Sequence, residues 1–230
     1  MAKKSFFITF AALIVFILLA LFAIDGINRL LQNPSTVLSG AKCEPPCWRG
    51  IVPGQEDPYH IFEMLSGMND VALESIDFQS DREDNIEGIT WNFQRPAPDS
   101  TGIISFEDER VTAISILTVN TLRLEELFGR LGEPDHYWAE IGHREYNDYL
   151  RVYLFYLRQG FVADVLIDFE GGDEQVTVKK STPVFRVTYY DAARYDSLLE
   201  TRILIDKVPN ARTGRLLPWT GYGAIPIEGK

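Results

Sequence analysis

The chain has 230 residues, of which 46% are apolar and 12% aromatic, so it can bury a hydrophobic core of ordinary size. Its formal net charge is −11. An acidic protein repels the phosphates of nucleic acids and the head groups of anionic membranes, and this charge therefore argues against nucleic acid as a partner.

The first predicted element is a transmembrane helix. Residues 5–24 form an apolar run that only Ser5 and Thr9 interrupt. Twenty helical residues span about 30 Å, which is the thickness of a bilayer's hydrocarbon core. A cleavable signal peptide is the alternative, but cleavage after Ala23 or Gly26 would place a large apolar residue at the −3 position. The sequence therefore favours an uncleaved anchor.

The charges around this run predict its orientation. Lys3 and Lys4 precede it, whereas the residues that follow it are nearly neutral. By the positive-inside rule the N-terminus is cytoplasmic and residues 25–230 are extracytoplasmic. We expect residues 1–24 to be the signal-anchor of a single-pass plasma-membrane protein of the cell envelope, with the membrane as a partner through residues 5–24.

Two cysteines, Cys43 and Cys47, follow a predicted linker over residues 25–42. In an exported domain, an isolated pair this close is most simply a disulfide, which here closes a small ring at the start of the domain. A metal site would need more ligands nearby, and the chain has only three histidines. A redox-active pair has two intervening residues rather than three. We expect neither a metal nor another cofactor.

Residues 43–120 are predicted to form a first helix-plus-sheet unit. Asp57 is placed to cap a helix that ends near Gly67, and the apolar residues between them have helical spacing. Four strand-like segments follow this helix, at 72–78, 88–94, 101–107 and 110–118. The last two are joined by the polar turn Glu107-Asp108-Glu109-Arg110 and form a hairpin.

Residues 121–190 are predicted to form a second unit of the same kind. A helix over 122–131 ends at Gly132, and strands follow it in a second hairpin, whose turn is Arg158-Gln159-Gly160. Because the order of helix, strands and hairpin occurs twice, the sequence predicts an α+β fold, in which an N-terminal transmembrane helix carries a duplicated helix/antiparallel-sheet domain. Residues 191–230 are predicted to form a C-terminal helix and a Gly/Pro/aromatic strap.

Aromatic residues are the most suggestive candidates for binding. Tyr149, Tyr153 and Phe155 crowd one predicted strand, and the strap contributes Trp219 and Tyr222. An uncovered aromatic sheet face is a natural surface for binding a protein or peptide. The alternative is that the strap covers this face, and the sequence leaves both open.

Several short segments carry a family resemblance. They are Gly50-Ile51-Val52-Pro53-Gly54, Trp91-Asn92-Phe93, the hairpin from Ile104-Ser105-Phe106 to Val111, and Leu131-Gly132-Glu133-Pro134. They resemble the SmpA/BamE-type outer-membrane-assembly lipoproteins, and the tandem arrangement is similar to the β-lactamase-inhibitor proteins. The opening from Cys43 to Ile51 also resembles uncharacterised exported bacterial proteins that begin C-x-x-P-C-W-x-G-I. The resemblance covers residues 45–190 and implies this fold and non-enzymatic protein binding.

Motifs that would indicate an enzyme are absent from the sequence. It contains no G-x-S-x-G elbow, phosphate loop, dinucleotide fingerprint or H-E-x-x-H helix. The leading expectation is therefore a non-enzymatic module that binds another envelope protein or an envelope component. The alternative is a hydrolase or ligand-binding domain, with a site near His136, His143 and the acidic loops 81–84 and 168–174.

Overall fold

Antiparallel strands make up most of the fold. The computed structural model describes Leu38 and residues 43–55, 57–80, 86–94, 100–118, 121–194 and 216–227. The helices are α1 (Pro58–Ser66) and α2 (Leu124–Leu131). The strands are β1 (Asp77–Ser80), β2 (Ile86–Asn92), β3 (Thr101–Glu107), β4 (Arg110–Leu117), β5 (His136–His143), β6 (Asp148–Tyr156), β7 (Phe161–Phe169), β8 (Gln175–Val178), β9 (Arg186–Tyr190), β10 (Leu217–Pro218) and β11 (Gly223–Pro226).

Nine of these strands form one continuous sheet. Its order is β1-β2-β3-β4-β9-β7-β6-β5-β10, and β8 pairs separately with β11. Every pairing is antiparallel. The two meanders of the sheet meet where β4 pairs with β9, from Ala113 opposite Tyr190 to Leu117 opposite Arg186. The sheet therefore ends at β1 on one side and at β5, partly covered by β10, on the other.

Both helices bury their apolar side chains in the same core. Asp57 caps α1, because its Oδ1 accepts the backbone N–H groups of Tyr59 and His60 at 2.9 and 3.0 Å. The core combines Ile61 of α1 and Leu127 of α2 with every second residue of the sheet strands. We call this side of the sheet the helix face. On β6 it carries Leu150, Val152, Leu154 and Tyr156.

The tight turns follow from local chemistry. Asp108 and Glu109, with φ values of 52° and 61°, make the two-residue connection between β3 and β4. Positive φ at both central positions gives the turn a twist that matches the twist of antiparallel strands. The connection from β6 to β7 is a short 3-10 helix, Leu157–Gln159, that ends at Gly160 in the left-handed region. Both hairpins lie where the sequence predicts them.

The predicted α+β class, with a transmembrane helix and a duplicated helix-plus-sheet domain, is wrong. The two α-helices of the described residues have only nine and eight residues, and strands predominate. The reason is that the two predicted sheets are not separate units. The edge strands β4 and β9 satisfy each other's backbone groups, so both meanders become parts of one sheet.

The predicted membrane location is also contradicted. Within the described part of the chain, no helix has both the length and the apolar composition that a bilayer crossing needs. At 1.5 Å per residue the two α-helices are about 14 and 12 Å long, less than half of a bilayer core. The predicted anchor, residues 5–24, lies outside the described residues. The predictions of a signal-anchor, a single-pass plasma-membrane location and an extracytoplasmic, cell-envelope placement are therefore contradicted.

Other predicted segments fall partly outside the described residues as well. These are the linker over 25–42 apart from Leu38, the acidic run 81–84, and the C-terminal helix beyond Arg194. Of the predicted strap, the structure describes the residues from Leu216 onward, which include β10 and β11.

Candidate functional site

The structure separates the five aromatic candidates onto two faces of the sheet. Tyr149, Tyr153 and Phe155 alternate with the helix-face residues of β6, so they lie on the opposite face. Trp219 and Tyr222 instead pack into the core on the helix face. Trp219 and Tyr222 therefore do not cover the aromatic side of β6, against which the strap residue Leu216 packs, and the five side chains do not form one surface.

On the opposite face, the aromatic side chains of β6 are mostly buried. Tyr153 and Phe155 are 1% and 2% exposed. Tyr153 stacks on Trp138 with ring centroids 5.2 Å apart, and its hydroxyl donates to Glu140 Oε1 at 2.6 Å. Tyr149 is half-buried and lies over Gly142, where a Cβ atom would come within 2.2 Å of the Tyr149 ring. These rings pack the sheet instead of presenting a docking surface.

Trp219 and Tyr222 close the end of the core beside α2. The Phe128 ring of α2 contacts both of them, with centroid distances of 5.8 Å to Trp219 and 5.1 Å to Tyr222. Trp219 also meets the ring of Tyr137, on β5, edge to face at 6.0 Å. These contacts hold the segment that follows β10 against the first residues of β5.

The two predicted histidines lie at opposite ends of β5. Seven residues of strand separate His136 from His143, which is about 23 Å, so the two imidazoles do not share a site. His143 Nδ1 contacts Asp148 Oδ1 at 2.7 Å, with three-quarters of the His143 side chain in solvent. The described residues contain no group of three or more His, Cys, Asp or Glu residues that could hold a metal ion.

A depression of about 410 Å³ lies near this His143–Asp148 pair. It is bounded by the turn from Arg144 to Asn147 and by Phe169, Glu170 and Gly171. Its described lining includes no serine, threonine, cysteine or lysine that could act as a nucleophile. The described groups at this depression are therefore carboxylates and the Tyr146 hydroxyl, with His143 beside them.

Cys43 and Cys47 lie at disulfide distance in the structure, with Cα atoms 5.6 Å apart. Next to them, Arg49 donates to both carboxylate oxygens of Asp70 at 2.7 Å. Arg49 also lies over the ring of Trp48, which is fully buried. These contacts fix the chain at the start of the domain.

The free edge of β5 is the feature with binding potential. β10 pairs only with the first two residues of β5, Leu217 opposite Tyr137 and Pro218 opposite His136. Among the described strands, none pairs with Trp138–His143 on this side. Six residues of strand, about 20 Å long, are thus left at the edge.

The pairing of β10 shows which backbone groups point outward. Trp219 N–H donates to Asp135 O at 3.3 Å, and Pro218 has no N–H to donate. The backbone N–H and C=O groups of successive residues in a strand alternate in direction. Those of the odd-numbered residues of β5 therefore point outward, away from β6. Beyond Tyr137, the outward N–H and C=O groups are those of Ala139, Ile141 and His143. The other residues of this stretch bond inward to β6.

A cleft of about 360 Å³ lies beside this edge. Ala139 and Leu150 form its floor on the helix face, and Leu217, Ile225 and Pro226 of the C-terminal segment form its walls. The cleft is large enough for one apolar side chain, and outward backbone groups lie next to it. None of these wall residues was a predicted site residue. The signal in the sequence was only the alternation of His136–His143, which does not distinguish an edge strand from a central one.

Acidic side chains lie near the start of β5 and on the strand itself. Burial raises the pKa of Tyr222, and the negative charges of Glu133 and Glu125 raise it further. Glu140 projects from β5 itself and makes no ion pair with a described basic side chain. At the position of Glu140, a positive charge on a partner is therefore favoured.

The opposite edge of the sheet is better protected. β1 has only four residues, and its register with β2 shifts between Gln79 and Ser80. Short length and bulges are the usual means by which edge strands avoid pairing with other chains. This contrast singles out β5.

Comparison with known proteins finds no matching family model, no matching curated protein and no matching solved structure.

Proposed function

We propose that this protein binds an extended segment of another polypeptide, which adds as a strand to the free edge of β5. The observation that supports this proposal most directly is that the backbone N–H and C=O groups of Ala139 and Ile141 point outward beside the 360 Å³ cleft. In this mode of recognition, the backbone hydrogen bonds supply affinity and pockets for alternate side chains supply specificity. The protein acts as a non-enzymatic binding module.

The rigidity of β5 supports this proposal, because its inner side pairs with β6 along its whole length, from His136 opposite Phe155 to His143 opposite Asp148. A partner strand would therefore meet a template that is already ordered, which lowers the entropy cost of binding.

The test uses Ala139→Pro, with Ala139→Ser as its matched control. Proline removes the outward N–H of Ala139 but leaves the ladder between β5 and β6 intact, and edge strands accept proline at such positions. A displayed library of random ten-residue peptides is selected on the wild-type protein. We expect the enriched peptides to bind the wild type and the serine variant, and to bind the proline variant at least tenfold more weakly.

Amide hydrogen exchange locates the binding. A bound strand should slow exchange at Ala139 and Ile141 by tenfold or more, with little change at β1. Equal binding to the proline variant would overturn the proposal. So would slow exchange of both amides in the free protein, since the edge would then already be covered.

A further inference from the structure

We infer that the strand accepted by β5 carries a lysine or arginine next to an apolar residue, an inference that rests on the proposed strand addition. Every pairing in the sheet is antiparallel, and β10 already runs antiparallel to β5. Leu216, the residue before β10, packs in the same cluster as Trp138, so a partner strand in this direction lies along Ala139–His143. Its side chains then alternate between the helix face and the opposite face.

The apolar position lies opposite Ala139. Side chains of directly paired residues lie on the same face of a sheet, and Ala139 faces the helix side. The small Ala139 side chain leaves the cleft open above it, between Leu217 and Ile225. An aliphatic side chain of the partner fills this space and removes apolar surface from water.

The basic position is the preceding residue of the partner, opposite Glu140. One Glu140 oxygen accepts the Tyr153 hydroxyl at 2.6 Å. Its cross-strand neighbour Arg151 is bound to Asp164 through Nε and Nη2, at 2.8 and 2.6 Å. Glu140 also attracts Arg151 electrostatically but forms no ion pair with it, so its carboxylate is open to a cation on an incoming strand.

Three capped octapeptides test this inference by fluorescence anisotropy: alternating valine and lysine, alternating valine and glutamate, and alternating serine and lysine. We expect the valine–lysine peptide to bind at least tenfold more tightly than either of the others. Glu140→Gln should weaken its binding about twofold to fivefold, as for a partly exposed ion pair, and the glutamine still accepts the Tyr153 hydroxyl. Ala139→Leu, which fills the cleft but keeps the N–H, should weaken it as well.

Glu109→Gln is the matched control, because it removes one exposed acidic charge at the β3–β4 turn, in the other meander. An equal loss in Glu109→Gln and Glu140→Gln would mean general attraction of cations and would overturn the inference. If the valine–glutamate peptide binds equally well and protects the Ala139 and Ile141 amides, the inference fails while the proposed function stands. If neither these peptides nor the library peptides protect those amides, the proposed function itself fails.

Discussion

Arg151 and Asp164 form a buried ion pair between the neighbouring strands β6 and β7. The guanidinium donates through Nε and Nη2 to Asp164 Oδ2, at 2.8 and 2.6 Å. Arg186 of β9 donates to the other carboxylate oxygen at 3.1 Å. Burial by itself would lower the pKa of Arg151, but attraction by Asp164 and other negative partners outweighs it, so the net shift is upward. One carboxylate thus links three adjacent strands.

Asp164→Asn should be strongly destabilising. Asp164 is 2% exposed, and its loss of charge leaves two arginines without their shared partner. We expect the free energy of unfolding to fall by about 3 kcal/mol. Asp168→Asn is the control on the same strand, because Asp168 pairs with Arg144 at a site where both side chains are about half exposed. It should cost less than about 1 kcal/mol in urea denaturation. Equal losses would contradict a special role for Asp164.

Tyr153→Phe should change how stability depends on pH. Burial and the hydrogen bond to Glu140 raise the pKa of Tyr153 above its ordinary value, despite the opposing effect of Arg151. A raised pKa means that the folded state keeps the proton longer than the unfolded state does. The stabilisation is therefore fully present below pH 10 and is lost as pH rises above it, by at most about 1.4 kcal/mol per pH unit.

Urea denaturation between pH 8 and pH 11 checks this expectation. At pH 8 the wild type should be more stable than Tyr153→Phe by about 1 kcal/mol, the usual value of one hydrogen bond. This difference should shrink above pH 10. If the free energies of unfolding of the two proteins changed with pH in the same way, the pKa of Tyr153 would not be raised in the folded state, and the expectation would be wrong.

Two glycine-to-alanine substitutions should have opposite effects. A Cβ atom at Gly102 would lie 1.9 Å from the buried Trp91 ring, so Gly102→Ala should destabilise the protein by about 2 kcal/mol through overpacking. Gly129 lies on the exposed side of α2 with open space around it. Gly129→Ala should stabilise by about 0.5–1 kcal/mol through helix propensity. Thermal unfolding of both variants measures this contrast, and a shift of the same sign in both would contradict it.

Removal of the Cys43–Cys47 link should cost about 2 kcal/mol of stability, since the ring that it closes is small. The double substitution Cys43→Ala/Cys47→Ala is compared with the wild type in the presence and absence of a reductant. We expect the reductant to lower the stability of the wild type toward that of the variant and to leave the variant unchanged. The expectation is contradicted if the reductant does not change the stability of the wild type and the variant is as stable as the wild type. The link would then contribute nothing to stability.

Local features were predictable where local chemistry decides them. The Asp57 cap, the turn at Glu107-Asp108-Glu109-Arg110 and the turn that ends at Gly160 each depend on neighbours within a few residues. The aromatic candidates were identified as a group, but their side chains divide between two faces. Alternation along β6 already placed Tyr149, Tyr153 and Phe155 on one face. It carried no information about where Trp219 and Tyr222, more than sixty residues later, would pack.

The amino-acid sequence by itself determined the positions of turns, caps and alternating strands, because these depend on backbone propensity and on neighbouring side chains. Only the tertiary structure decided that β4 pairs with β9, that β10 covers just two residues of β5, and that Ala139 and Ile141 direct their backbone groups outward. These outcomes depend on pairing between distant segments, which satisfies backbone hydrogen bonds regardless of side-chain identity. The candidate binding edge is a consequence of that pairing, and no local pattern marks it.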